Sequence, residues 1–223
     1  MTDKLIKLIS EKPETPFAAP EQEIYVWESN VSDNIDIKEL EDVILSNERN
    51  VIEKYPAFDD GQTGLGNNSL TSRYPHFNLF QWKLKGLNEV VRKTHDKFIS
   101  VLEYKNTDLY GQCWANILRT GEQIGIHSHY NDTLCYLGGH ICVKVKDTHT
   151  FYTNPYTKQV YASKNEIGKI TLFPNWISHH TDRHINPQER ITIAFDLFTP
   201  KFYNTKVIEE KKSHWEKVWI IVL

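Results

Sequence analysis

Arg190-Ile-Thr-Ile-Ala-Phe-Asp-Leu197 alternates apolar and polar or small residues without a break. In an extended chain successive side chains point to opposite faces, so Ile191, Ile193, Phe195 and Leu197 share one face. Arg190, Thr192, Ala194 and Asp196 share the other. An apolar face of that length needs a packing layer, and two amphipathic segments upstream can supply it. Asp36–Lys54 reads as a helix with Ile37, Leu40, Ile44 and Val51 on one stripe and Pro56 as its stop. Trp82 to about Leu102 reads as a second, with Leu84, Leu87, Val91, Phe98 and Leu102 spaced for one buried face. The opposite strand face then turns Arg190 and Thr192 towards an interior.

Working outward, short strand candidates succeed one another after Tyr110: Gln112–Leu118, Gln123–His129, His140–Val145, Thr150–Thr153, Gln159–Ala162, Lys169–Phe173 and Arg190–Phe198. Asn154-Pro155 and Asn186-Pro187 are turn signals between them. Glu23–Trp27 reads as an earlier strand, and the first 20 residues, rich in Pro, Lys and Glu, read as a surface segment. A helical layer followed by an antiparallel β half implies a mostly β, α+β chain: a sandwich or barrel backed by helices. Phe58–Phe80 has no sustained period. A loop so long is more often functional than decorative: either a lid offering Arg73, Tyr74 and His76 to a substrate, or a plain surface loop. Its Gly61-Gln-Thr-Gly-Leu-Gly66 run lacks the Lys-Ser/Thr of a phosphate loop.

The chemistry concentrates in two places. Gly121-Glu-Gln-Ile-Gly-Ile-His127-Ser-His129 puts two imidazoles on one face of an extended segment. Thr171-Leu-Phe-Pro-Asn-Trp-Ile-Ser-His179-His180 ends one strand at Pro174 and lets His179 or His180 begin the next. His127, His129 and His179 together would close three sides of a metal ion and leave the others open, as non-haem iron enzymes require. By ligand type alone zinc, iron, copper and nickel all fit, and no cysteine stands at the spacing of a closed structural zinc site. An inward Arg190 needs an anion, because a buried unpaired charge is costly. A bound carboxylate would accept two parallel N–H bonds, with Thr192 adding a hydroxyl. The plainer reading pairs Arg190 with Glu189 or Asp182 at an edge.

Composition bounds the rest. With 223 residues, 39% hydrophobic and 25% charged, the chain can bury a sizeable core and reads as globular. A net charge of −3 gives no general basic field for nucleic acid. No apolar run is long enough for a bilayer, Val218–Leu223 included; that hexapeptide reads as an added strand or a subunit contact. Cys113, Cys135 and Cys142 lack framework spacing, and no signal-like region precedes Pro13. Reduced thiols and a cytoplasmic location follow as expectations.

The order Trp114-x-Asn116, Gly121, His127-x-His129, Leu137-Gly138-Gly139, Phe173-Pro-Asn-Trp-Ile-x-His179 and Glu189-Arg190-Ile-Thr-Ile-Ala-Phe195 resembles the 2-oxoglutarate- and Fe(II)-dependent oxygenases. The similarity is strongest to a prolyl-hydroxylase-like subgroup of marine bacteria and tailed phages, and covers about Gln112 to Leu197. The resemblance implies a double-stranded β-helix (jelly roll) backed by the N-terminal helices. It further implies a single oxygenase domain over 1–223, with supporting helices in 1–110, the core in 111–200 and an extension in 201–223. Fe(II), 2-oxoglutarate and O2 would be used to hydroxylate a C–H bond of a small molecule or peptide, releasing succinate and CO2. A homodimer stays open, as does a host cytoplasm were the gene phage-borne. His127 and His179 would be the family's two histidine ligands, Arg190 and Thr192 would hold the far carboxylate of 2-oxoglutarate, and Asn116 would contact the same co-substrate.

The sequence departs from the broad pattern at His129, where the family usually has Asp or Glu. Asp132 is an alternative ligand, though of the wrong parity, and His180 and Asp182 are candidates to orient the ligands. Two rivals stand beside the oxygenase: a cupin-type three-histidine metal enzyme that does not use 2-oxoglutarate, and a non-catalytic β-sandwich binding module.

Overall fold

The computed structural model describes residues 3–82, 84–129, 136–203 and 221–222. In chain order the elements are β1 (Lys4–Ile9), β2 (Glu23–Asn30), α1 (Ile37–Lys54), α2 (Leu87–Val101), β3 (Tyr110–Leu118), β4 (Leu137–Lys144), β5 (His149–Thr153), β6 (Val160–Lys164), β7 (Lys169–Pro174), β8 (His179–Thr181), β9 (Arg190–Phe198), α3 (Pro200–Tyr203) and β10 (Ile221–Val222). A seven-stranded antiparallel sheet runs β1-β2-β7-β4-β9-β3-β10, and a three-stranded sheet runs β6-β5-β8. From β4 onward the chain passes between the two sheets, β4 in the large one, β5 and β6 in the small one, then β7, β8 and β9 in alternation. That winding is the double-stranded β-helix, with helices on one side.

Strand β9 is buried along its whole length, and its pairing fixes both faces of the large sheet. Ile191, Ile193 and Phe195 stand opposite Ile117, Ala115 and Cys113 of β3, and all six join the core cluster that holds Leu40 and Ile44 of α1 and Leu87, Val91 and Phe98 of α2. Burying apolar surface on both layers is the main favourable term for such an arrangement. The other face looks into the β-helix. Near β1 and β2 it is apolar, with Leu8, Ile24 and Val26 meeting Tyr152, Phe173 and Ile177. Beside them Lys169 and Glu28 form a buried ion pair at 3.0 Å, with Ser163 donating to the same carboxylate. Towards β4, β9 and β3 the interior turns polar.

Several expectations are corrected. The first 20 residues are not all a surface segment: Lys4–Ile9 pairs with β2, from Lys4 opposite Glu28 to Ile9 opposite Glu23. Ile6 and Leu8 carry the inward alternation there, which the Pro- and Glu-rich stretch after residue 10 obscures. The second helix starts at Leu87 and not Trp82, because Gly86 takes a left-handed φ of 83° that ends the preceding turn. Gln123–His129 is no strand. It makes one bridge, His127 with His179, and spends its other backbone bonds on Thr63, Asn175 and Thr181. In the 58–80 segment, Thr71–His76 forms a 3-10 helix in which Arg73 is buried, bonded to the carbonyls of Asn67, Ser69 and Tyr55. His76 stacks on Tyr55. Neither is offered to a substrate; Tyr74 alone of the three lines the cavity described below. Of the apolar C-terminal hexapeptide, Ile221 and Val222 pair with Gly111 and Tyr110 at the edge of β3.

Candidate metal centre

His127 and His179 hold one another through reciprocal backbone bonds of 3.1 and 2.9 Å, which brings a ligand from the 121–129 segment against the start of β8. His129 is fixed two residues on, its N–H donating to the Asn175 carbonyl at 2.8 Å. The three imidazoles converge: ring centroids lie 4.3 Å apart for His127–His179, 5.1 Å for His129–His179 and 5.3 Å for His127–His129. Each offers a ligand nitrogen, and these nitrogens all lie within 4.8 Å of one another. Phe173 packs on His179 and Trp114 on His129, so aromatic walls limit how the rings can turn.

The hydrogen bonds behind the rings decide which nitrogens face the centre. Nδ1 of His127 lies 2.9 Å from the Gly125 carbonyl, and Nδ1 of His179 lies 3.0 Å from the Ile177 carbonyl. A carbonyl can only accept, so both Nδ1 atoms carry hydrogen and both Nε2 atoms keep a free lone pair. Nδ1 of His129 meets the Asp196 carboxylate at 2.5 Å, which imposes the same tautomer. Burial pushes His127 down to about 4, with His129 as a second cause, and holds His179 well below its ordinary value. Both are therefore neutral, ligand-competent bases at neutral pH. Three such nitrogens suit a borderline divalent metal such as iron.

Beyond the histidines, one cavity of about 240 Å³ also takes in Arg190, Thr192 and Asn116. All six residues singled out by sequence thus meet in one place. Arg190 is 1% exposed, and its Nε and Nη1 have no hydrogen-bond partner among the described residues. It is neither an edge arginine nor paired with Glu189, whose carboxylate is bonded to Lys144. Burial lowers the guanidinium from its ordinary value, and an anion is the partner it lacks. Thr192 stands opposite Asn116 in β3, whose Oδ1 accepts from the Thr71 hydroxyl at 2.6 Å.

Two further residues belong here that sequence reading did not single out for a role. Asp196 was readable as inward-facing by its parity with Arg190, but nothing in the sequence tied it to His129. His140 of β4 lines the same cavity, with Nδ1 3.5 Å from the Tyr152 hydroxyl and Nε2 unpartnered among the described residues. Burial, then the charges of Arg190 and Lys169, push it down to about 3. Conversely, His180 and Asp182 do not orient the ligands. His180 stacks on Phe151, and Asp182 accepts the backbone N–H of His149. The alternation of β8 explains this, since His179 and Thr181 point inward and their neighbours outward. Asp132 and Cys135 lie outside the described residues.

One cavity of the β-helix thus joins three imidazoles to a buried guanidinium. Residues 112–196, which span β3 to β9 and all six residues, match the profile of a family described as "Putative 2OG-Fe(II) oxygenase". The match covers that segment alone. No curated protein matches it. Solved structures similar to it include a 2OG-Fe(II) oxygenase family oxidoreductase from Burkholderia pseudomallei, at 13% identity and a TM-score of 0.41 over 52% of this chain. The chain spans 61% of that structure's length. A Pseudomonas putida prolyl-4-hydroxylase is 9% identical, with a TM-score of 0.47 over 78% of this chain and 92% of its own. A Trichoplax adhaerens prolyl hydroxylase, solved with a hypoxia inducible factor peptide fragment, is 13% identical, with a TM-score of 0.48 over 79% and 84%.

Proposed function

We propose that the protein hydroxylates a C–H bond of a small molecule or peptide, with His127, His129 and His179 holding Fe(II) and Arg190 holding 2-oxoglutarate. The balance is R–H + 2-oxoglutarate + O2 → R–OH + succinate + CO2. When bound, Fe(II) supplies the redox chemistry that couples oxidative decarboxylation of 2-oxoglutarate to oxygen transfer. The chain's own residues do the rest. The three Nε2 atoms form one face of ligands and leave the opposite side to the co-substrate. Arg190 binds the carboxylate far from the metal through parallel N–H bonds, and Thr192 adds a hydroxyl. His140 presents one further N–H if Tyr152 donates to its Nδ1, and Asn116 braces the wall between Thr192 and Thr71. Phe173 and Trp114 keep water off the ligand face.

The single observation that carries this reading is the pairing of three ligand-ready imidazoles with an orphaned, buried guanidinium in one cavity. A cupin-type enzyme would use the first and has no need of the second. We further take residues 1–223 as one domain, with the helices as packing support for the catalytic sheet. Succinate formation by the Fe(II)-loaded protein, measured against panels of amino acids, peptides and nucleosides, tests the activity. Stoichiometric iron with no 2-oxoglutarate dependence would favour the cupin reading, and no iron at all would favour a binding module.

A further inference from the structure

Of the three Nδ1 atoms that turn the imidazoles inward, two donate to neutral carbonyls and one to a carboxylate. The odd one is His129, which occupies the place where the broad pattern has a carboxylate ligand. We propose that Asp196 is a positioning residue that returns this missing negative charge from behind, through His129, to the metal. This rests on the reading of the three histidines as ligands.

The geometry is specific. Asp196 is 4% exposed, and the 2.5 Å contact to His129 Nδ1 is the one hydrogen bond its side chain makes among the described residues. Gly138 lies opposite it in β4, where a Cβ would stand 3.4 Å from Asp196 Oδ1 and a tighter 3.1 Å from the Phe173 ring. A buried carboxylate with a single imidazole partner polarises that ring strongly, since little else screens the charge. The Nδ1 hydrogen is drawn towards oxygen, which leaves more negative charge on Nε2, the atom that faces the centre. Three neutral imidazoles would leave a divalent ion with its full charge; the Asp196–His129 couple makes the set formally that of two histidines and one anion. The same arrangement fixes the ring plane, which the Trp114 contact also restrains.

A role carried through His129 predicts a coupling between the two residues that simple packing does not. Co(II) and Zn(II) affinities, read by visible absorption and calorimetry on the whole chain, are compared in four proteins: wild type, Asp196→Asn, His129→Asp, and the double variant. Asp196→Asn keeps the side chain's shape and should weaken Co(II) binding about 10- to 100-fold. His129→Asp supplies the carboxylate directly and leaves Asp196 no imidazole to act through. Adding Asp196→Asn to that background should therefore cost less than about threefold, well below its cost beside His129. Binding by Asp196→Asn within twofold of wild type would overturn the proposal. So would equal weakening in both backgrounds, which marks a packing role. If Asp196→Asn alone does not fold, a tenfold or greater loss from His129→Asp to the double variant overturns the proposal, and a loss under threefold supports it. Failure of the wild type to bind either metal would sink the ligand reading itself, a distinguishable result.

Discussion

Arg190→Met removes the guanidinium while keeping a long apolar side chain in its place. Two opposite effects follow from a cation that is 1% exposed with Nε and Nη1 unpartnered. Without co-substrate, the wild type carries a buried charge with no hydrogen-bonded anion among the described residues, and the more distant charge of Asp182 offsets its desolvation only in part. Replacing such a charge with a packed hydrophobe is worth about 1–4 kcal/mol. For a chain of this size about 1 kcal/mol moves the melting temperature by roughly 2–4 °C. The variant should therefore melt several degrees above the wild type in the absence of 2-oxoglutarate. With 2-oxoglutarate at about a hundred times its Kd the wild type gains about 2.7 kcal/mol. That is a rise of roughly 5–10 °C, and the variant should lose it. The assay is a thermal melt of both proteins with Mn(II), which fills the site without turnover, across a 2-oxoglutarate series. The reasoning fails if the variant melts below the wild type without ligand and still shows the full rise. Such an outcome would mean that Arg190 is satisfied from within the chain.

Three other outcomes follow from the same geometry. His127→Ala and His179→Ala should each abolish stoichiometric Fe(II) binding in an anaerobic titration, because each removes one of three converging nitrogens; retained one-to-one binding in either would contradict the triad. His140→Leu should raise the 2-oxoglutarate dissociation constant about tenfold, the loss of one hydrogen bond to a charged group, while metal affinity stays put; an unchanged constant would remove His140 from the carboxylate site. Gly139→Ala would put a Cβ 2.5 Å from the Phe195 ring and 2.7 Å from the Thr171 carbonyl. Overpacking of that kind costs about 1–3 kcal/mol, so its melting temperature should fall by several degrees, and an unaltered melt would show that β4 and β9 can part at no cost.

What the sequence made legible was whatever rests on local periodicity. The alternation of Arg190–Leu197 placed four side chains inward, and they are inward; the stripe of Leu40, Ile44 and Val51 marked a buried helix face. The convergence of His127, His129 and His179 was legible because two of them share a short segment and the third follows a turn. What stayed hidden depends on partners distant in the chain. His127 is held by a reciprocal pair of backbone bonds to His179 and His129 by a single bond to Asn175, with no ladder behind them. Asp196 and His129 are 67 positions apart, and they meet because β9 turns Asp196 inward while the Asn175 carbonyl fixes His129 beside it. His140 gave no signal, since one histidine in a buried strand has no pattern to betray it. Arg73 misled for a related reason: an arginine in a Gly- and Asn-rich loop resembles a solvent-facing contact, and the structure spends it on the loop's own carbonyls.

The mutual backbone tie between His127 and His179 has a mechanical consequence. The two residues fasten the 121–129 segment to the start of β8 by main chain alone, and a cation gripped by their rings would rivet the same junction a second time. Loading with metal should then slow the exchange of the amide hydrogens of His127, His179 and Thr181 well before it alters those of β9. The seam between that segment and the small sheet, and not the large sheet, is where occupancy would be felt.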